Sequence, residues 1–153
     1  MDRFKKIMVP IDGKKGSYEC FRLACHIGLQ NNSEIHVVYI INLNAINKAV
    51  GALNEDQEKI IKDSINTGES FFKKYITTLK SECSYQFKFI TRILKSKNLA
   101  DEIIDYAQKT KVDLIIMNLV PKKDAREMLL GHITLRVAEF ARIPVLVMPA
   151  LHE

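Results

Sequence analysis

The sequence predicts an α/β fold, a doubly wound parallel sheet with helices on both faces. Three observations point there. Residues 7–11, 35–41, 114–117 and 145–148 are near-continuous apolar runs of strand length, the pattern of strands buried on both faces. Helix-length amphipathic stretches alternate with these runs. Between the last two runs, Ile133, Val137, Phe140 and Ala141 fall at i, i+4, i+7 and i+8. Two parallel strands joined by such a helix form a right-handed crossover.

The first strand spans residues 5–12. Pro10 suits its end, because proline cannot donate to a ladder, and Asp12 then sits at the carboxyl edge. Residues 13–17 form a turn with Ser17 as N-cap. The helix that follows places Phe21, Ala24, Cys25, Gly28 and Leu29 on one face and stops at Asn31-Asn32. The second strand, 34–41, is rich in β-branched residues. His36 falls early in it, away from the carboxyl edge, which suits a structural or surface role rather than a ligand. Residues 42–54 read as a loop. A long helix covers 55–79, with Ile61, Ile65, Gly68, Phe72, Ile76 and Leu79 on its apolar face. Gly68 there implies close approach to the sheet. Lys59, Lys62, Lys73, Lys74 and Lys80 form its wet side. Residues 87–93 partly alternate and carry charges, as an edge strand does. Asn98 caps a short helix whose apolar face is Ala100, Ile103, Ile104 and Ala107. The fourth and fifth strands close the chain, five strands alternating with four helices.

At 153 residues one domain, 1–153, is expected. No run of about 18 apolar residues exists, so no transmembrane helix is expected. The first ten residues lack the apolar segment and cleavage site of a signal peptide. The cytoplasm is therefore the expected location. Cys20, Cys25 and Cys83 have no Cys-x-x-Cys spacing, so three reduced thiols are expected, with neither zinc nor a disulfide framework. The net charge of +5 comes from Lys and Arg scattered along the chain. That is a solvated basic surface, not a nucleic-acid footprint, and no reader helix or aromatic stacking strip accompanies it.

In open α/β sheets ligands bind beyond the carboxyl ends of the strands. Residues 118–130, after the fourth strand, are therefore the place to look for function. No Ser-His-Asp or metal-ligand set converges on the strand ends. His132 and Asp12 are the one acid/base pair to mention, so a catalytic role has little support and a non-catalytic protein is expected.

Five segments, taken in order, resemble the universal stress protein family. They are Ile7-Met8-Val9-Pro10-Ile11-Asp12-Gly13, then Ala24, then His36-Val37-Val38-Tyr39-Ile40. Ala100-Asp101-Glu102-Ile103-Ile104 with Val112-Asp113-Leu114-Ile115-Ile116-Met117 follows, and Gly131 with Pro144-Val145-Leu146-Val147 ends the set. The resemblance implies a strand order of 3-2-1-4-5 with a switch point between strands 1 and 4. It also implies a homodimer paired through Val145–Met148, and a crevice that binds ATP or AMP in some members and no nucleotide in others.

Nucleotide-binding members carry Gly-x-x-Gly, nine residues, then Gly-Ser or Gly-Thr. Glycines let the backbone approach phosphates, and amides at a helix start bind the anion. Counting back from Gly131, the first two glycine positions hold Asn118 and Pro121, and the hydroxyl position holds His132. Pro121 has no N–H, and Asn118 adds bulk. The spacing is kept while most of the chemistry is lost. Two features favour binding nonetheless. Asp12 stands where family binders contact the nucleoside, and Ile40 where a branched residue offers its backbone to adenine. Lys14, Lys15, Lys122, Lys123 and Arg126 flank the same strand ends, where cations can hold an anion. The leading expectation is a dimeric regulatory or stress-response binding protein with weak or absent ATP binding. The alternative is a genuine ATP- or AMP-binding member that uses Asp12 and the basic residues in place of the glycine loop.

Overall fold

The computed structural model describes residues 3–53, 56–119 and 131–149. Along them run β1 (Lys6–Pro10), α1 (Lys15–Asn31), β2 (Glu34–Asn42), α2 (Leu43–Leu53), α3 (Gln57–Glu82), β3 (Lys88–Ser96), α4 (Leu99–Lys109), β4 (Leu114–Asn118), α5 (His132–Phe140) and β5 (Val145–Met148). The strands make one parallel sheet in the order β3-β2-β1-β4-β5. This is the order the resemblance implied. The charged strand β3 lies at an edge, as its alternation suggested.

Alternate residues of each strand serve opposite faces, which is why the central strands are apolar without interruption. Ile7, Val9, Ile35, Val37, Leu114 and Ile116 pack under α1 and α3, against Phe21 and Phe72. Met8, Val38, Ile115 and Met117 face the other way, onto Ile103 of α4 and Val137 of α5. Asp113 fixes the register of the two central strands from below. Its carboxylate accepts from the backbone N–H groups of Lys5 (2.9 Å) and Lys6 (3.3 Å).

Several local expectations need correction. Residues 43–53 are helical, not a loop. Asn42 Oδ1 accepts from the N–H groups of Asn44 and Ala45, an N-cap that starts α2. Ile46 is then buried, flanked by the half-buried Leu43, Ala49 and Val50. Ser17 does not cap α1, because the helix opens one turn earlier at Lys15, and the cap position is Lys14. α3 runs three residues past Leu79, and Asp56 caps it by accepting from Glu58 N–H. Leu29 is exposed, while its neighbour Gly28 is buried. The buried face of α5 is Thr134, Val137 and Ala141, and Ile133 and Phe140 are largely exposed beside it. β5 is only half-buried, because it ends the sheet. Other expectations agree with the structure. Asn32 ends α1 in the left-handed conformation, Asn98 caps α4, and Gly68 lies under the Tyr39 ring. All three cysteines are free.

Of the structural and surface roles its position allowed, His36 has the structural one. Its ring is 4% exposed, with Nδ1 2.8 Å from Tyr106 Oη and Nε2 3.1 Å from Glu34 Oε1. Burial holds its pKa below the ordinary histidine value. Glu34 pulls the other way, and Lys6 and Arg92 add to the lowering. The folded chain thus binds fewer protons at His36 than the unfolded chain. Its contribution to stability is full above the unfolded value of about 6.5 and is lost as pH falls below that toward the folded value. Wild-type protein is therefore expected to lose more Tm between pH 7.5 and 5 than His36→Gln. Thermal melts across that range check this, and equal pH slopes would reject it.

Candidate functional site

The register of the sheet places the site. β1 ends at Pro10, opposite Val38 of β2, whereas β2 continues to Asn42 along β3. Two residues past Pro10, Asp12 comes level with Ile40. On the other side Met8 pairs with Ile115, so Asn118 comes level with Ile11. The chain leaves the sheet after β1 while both neighbours run on. A crevice opens at this switch point, with Asp12, Ile40 and Asn118 on its rim. Its volume is about 190 Å³, below the roughly 300–1,000 Å³ of sites that enclose a whole drug-sized ligand. Met117 and Ile103 make apolar walls.

Asp12 is held by its own turn. Its Oδ1 accepts from Lys14 N–H at 2.9 Å and from Ser17 Oγ–H at 2.8 Å. Ser17 Oγ in turn accepts from Asp12 N–H at 3.2 Å. The turn works only with glycine at position 13, where φ is +81° and an added Cβ would run into the Phe71 ring.

Asn118, at the end of the neighbouring strand β4, adjoins this turn. A Cβ added to Gly16, in the first turn of α1, would stand 2.5 Å from Asn118 Nδ2. The Asn118 amide therefore fills the gap between the end of β4 and the start of α1, and it donates to Leu119 O at 3.2 Å. Gly131 is the N-cap of α5 and makes no side-chain cap bond, and His132 is its first residue and exposed. Neither belongs to the crevice wall, which is formed instead by the next two residues, Ile133 and Thr134. Thr134 is 5% exposed. Sequence reading passed over it because the family pattern puts the hydroxyl at position 132. Its place in the first turn of α5 was the available signal.

The basic residues divide. Lys14 and Lys15 line a separate hollow of about 200 Å³ with Lys74, on the α1/α3 side of the sheet. Pro121, Lys122, Lys123 and Arg126 lie outside the described residues. Among the described residues no group of three or more His, Cys, Asp or Glu could hold a metal ion. No helix among them is long and apolar enough to cross a membrane.

A model of the universal stress protein family matches residues 3–149. The chain belongs to that family. It is 30% identical over 145 residues to the universal stress protein MJ0531 of Methanocaldococcus jannaschii, covering 94% of this chain and 81% of that one. Among solved structures, the hypothetical protein MJ0577 superposes with a TM-score of 0.73 at 24% identity, over 98% of this chain and 99% of its own. A universal stress protein in complex with cAMP gives 0.64 at 16% identity, over 96% and 98%. The Archaeoglobus fulgidus family member in complex with dAMP gives 0.58, also at 16%, over 96% and 98%. These likenesses support the fold. Family membership rests on the match along nearly the whole chain.

Proposed function

We propose that this chain is a non-catalytic regulatory or stress-response binding protein whose switch-point crevice takes an adenine nucleotide weakly. The observation that carries the reading is the crevice itself. Apolar walls suited to a base lie beside Asp12 and Ile40, with the Asn118 side chain at the neighbouring strand end. In this reading the base and sugar end of the site is kept, while the phosphate end lacks the glycine pattern at positions 118 and 121. Two distant family members have been solved with cAMP and dAMP, both monophosphates, and this supports the same ligand class here. The placement of Lys14 and Lys15 in a separate hollow weighs against the alternative in which lysines replace the glycine loop.

ATP affinity is expected to be about 0.1 mM or weaker, with AMP binding at least as well. Calorimetry with both nucleotides at one salt concentration tests this. Micromolar ATP binding would overturn it. The protein is further proposed to work as a homodimer in the cytoplasm, joined through Val145–Met148.

A further inference from the structure

We propose that Tyr75, acting through Ser17, is a positioning residue for the Asp12 carboxylate. This rests on the reading of Asp12 as part of the binding crevice, and it adds α3, on the opposite face of the sheet, to the machinery of that site.

The geometry is a short chain of hydroxyls. Tyr75 Oη lies 2.6 Å from Ser17 Oγ and 2.8 Å from Lys14 O. Ser17 Oγ lies 2.8 Å from Asp12 Oδ1 and 3.3 Å from Lys14 O. Both hydroxyl residues are buried, Ser17 at 1% and Tyr75 at 2% exposure, while Asp12 is exposed.

Only two hydroxyl hydrogens serve these contacts, and charge decides where they go. A hydrogen bond to a carboxylate is about twice as strong as one to a neutral oxygen, so the Ser17 hydrogen goes to Asp12. The Tyr75 hydrogen then faces two acceptors, Ser17 Oγ at 2.6 Å and Lys14 O at 2.8 Å, and is shared between them. Lys14 O, the second acceptor, also accepts from Tyr18 N–H at 3.1 Å. In this arrangement Ser17 Oγ accepts from Asp12 N–H and from the shared Tyr75 hydrogen, and donates to Asp12 Oδ1. Burial keeps Tyr75 a neutral phenol, pushing it up to about 12 although its hydrogen bonds with Ser17 and the Gly13 backbone pull the other way.

Asp12 Oδ1 is thereby held by Lys14 N–H and Ser17 Oγ–H. The carboxylate plane is fixed, and its other oxygen is the one presented to a ligand. Tyr75 makes no part of the crevice wall. Its ring packs against Tyr18 and Phe21, so Tyr75→Phe removes the donor and keeps the packing.

Amide hydrogen exchange by NMR tests the positioning without a ligand. In Tyr75→Phe and in Ser17→Ala, the Asp12 and Lys14 amides are expected to lose protection by about tenfold relative to those of Val9 and Val37. A uniform loss across the protein would mean a merely structural role and would overturn the proposal, as would no change. AMP titration followed by NMR shifts is the second arm. Tyr75→Phe is expected to weaken AMP about threefold to tenfold in the wild-type background and to have no effect in the Asp12→Asn background. Equal losses in both backgrounds would overturn the proposal. If wild-type protein shows no AMP shifts, the nucleotide reading fails, and the exchange measurement still decides the positioning role.

Discussion

Changing Asn118 and Pro121 to glycine and His132 to serine together is expected to raise ATP affinity by at least about fivefold. The Asn118 amide occupies the space over Gly16 and is tied to Leu119 O, and glycine at 118 empties that space. Glycine at 121 supplies a backbone donor that proline lacks. Serine at 132 puts a hydroxyl at the first residue of α5 in place of an exposed imidazole. Two hydrogen bonds to a charged phosphate are together worth roughly 3–6 kcal/mol. Two added glycines cost about 1 kcal/mol each in backbone entropy. The balance is a gain of about 1–4 kcal/mol, and each 1.4 kcal/mol is about tenfold. Calorimetry of the two proteins in the same buffer measures it. Unchanged affinity would mean that the glycine pattern does not limit binding in this chain.

Val147→Lys is expected to convert the proposed dimer to monomer. β5 ends the sheet beside β4, so its outer edge is unpaired among the described residues. Val147 is 37% exposed there, and Phe140 and Leu135 of the adjoining α5 are 48% and 49% exposed. A half-buried apolar edge strand is a template for pairing with another chain. A two-fold interface places the same surface of both copies in contact, so one substitution introduces two lysines. Burying an unpaired charge costs about 3–5 kcal/mol, which should raise the dimer dissociation constant more than about a hundredfold. Sedimentation or light scattering gives the mass, with Val147→Ile as the control expected to stay dimeric. A lysine variant of unchanged dimer mass would rule out this strand as the interface.

The strands were legible because burial on both faces leaves a continuous apolar signature, as in residues 7–11 and 114–117. Helix ends were legible where a side chain acts locally. Asn98 and Asn32 each complete a cap with their own neighbours. α2 was missed although Asn42 and the Leu43, Ile46, Ala49, Val50 stripe were both present, because Gly51 and four asparagines weigh the stretch toward a loop. The α5 face was misjudged for a different reason. Ile133 and Phe140 have helical spacing with Val137, yet a short helix covering the sheet's edge region buries only its narrowest stripe.

At the site, the sequence by itself determined which residues hold the strand ends. Asp12 follows from where the first apolar run stops, a local property, while Ile40 and Asn118 follow from the family resemblance. What those residues touch was decided by tertiary structure alone. Ser17 reads as a cap by its distance from a turn, but Tyr75, 58 residues away, shares a hydrogen bond with it. Lys14 and Lys15 read as crevice cations by adjacency to β1, but the chain turns under Phe71 at Gly13 and carries them to the α3 side. Periodicity reports which face of an element is apolar, because each element must bury that face. It carries no record of which polar groups meet when separate elements pack, because those contacts depend on the path of the chain between them.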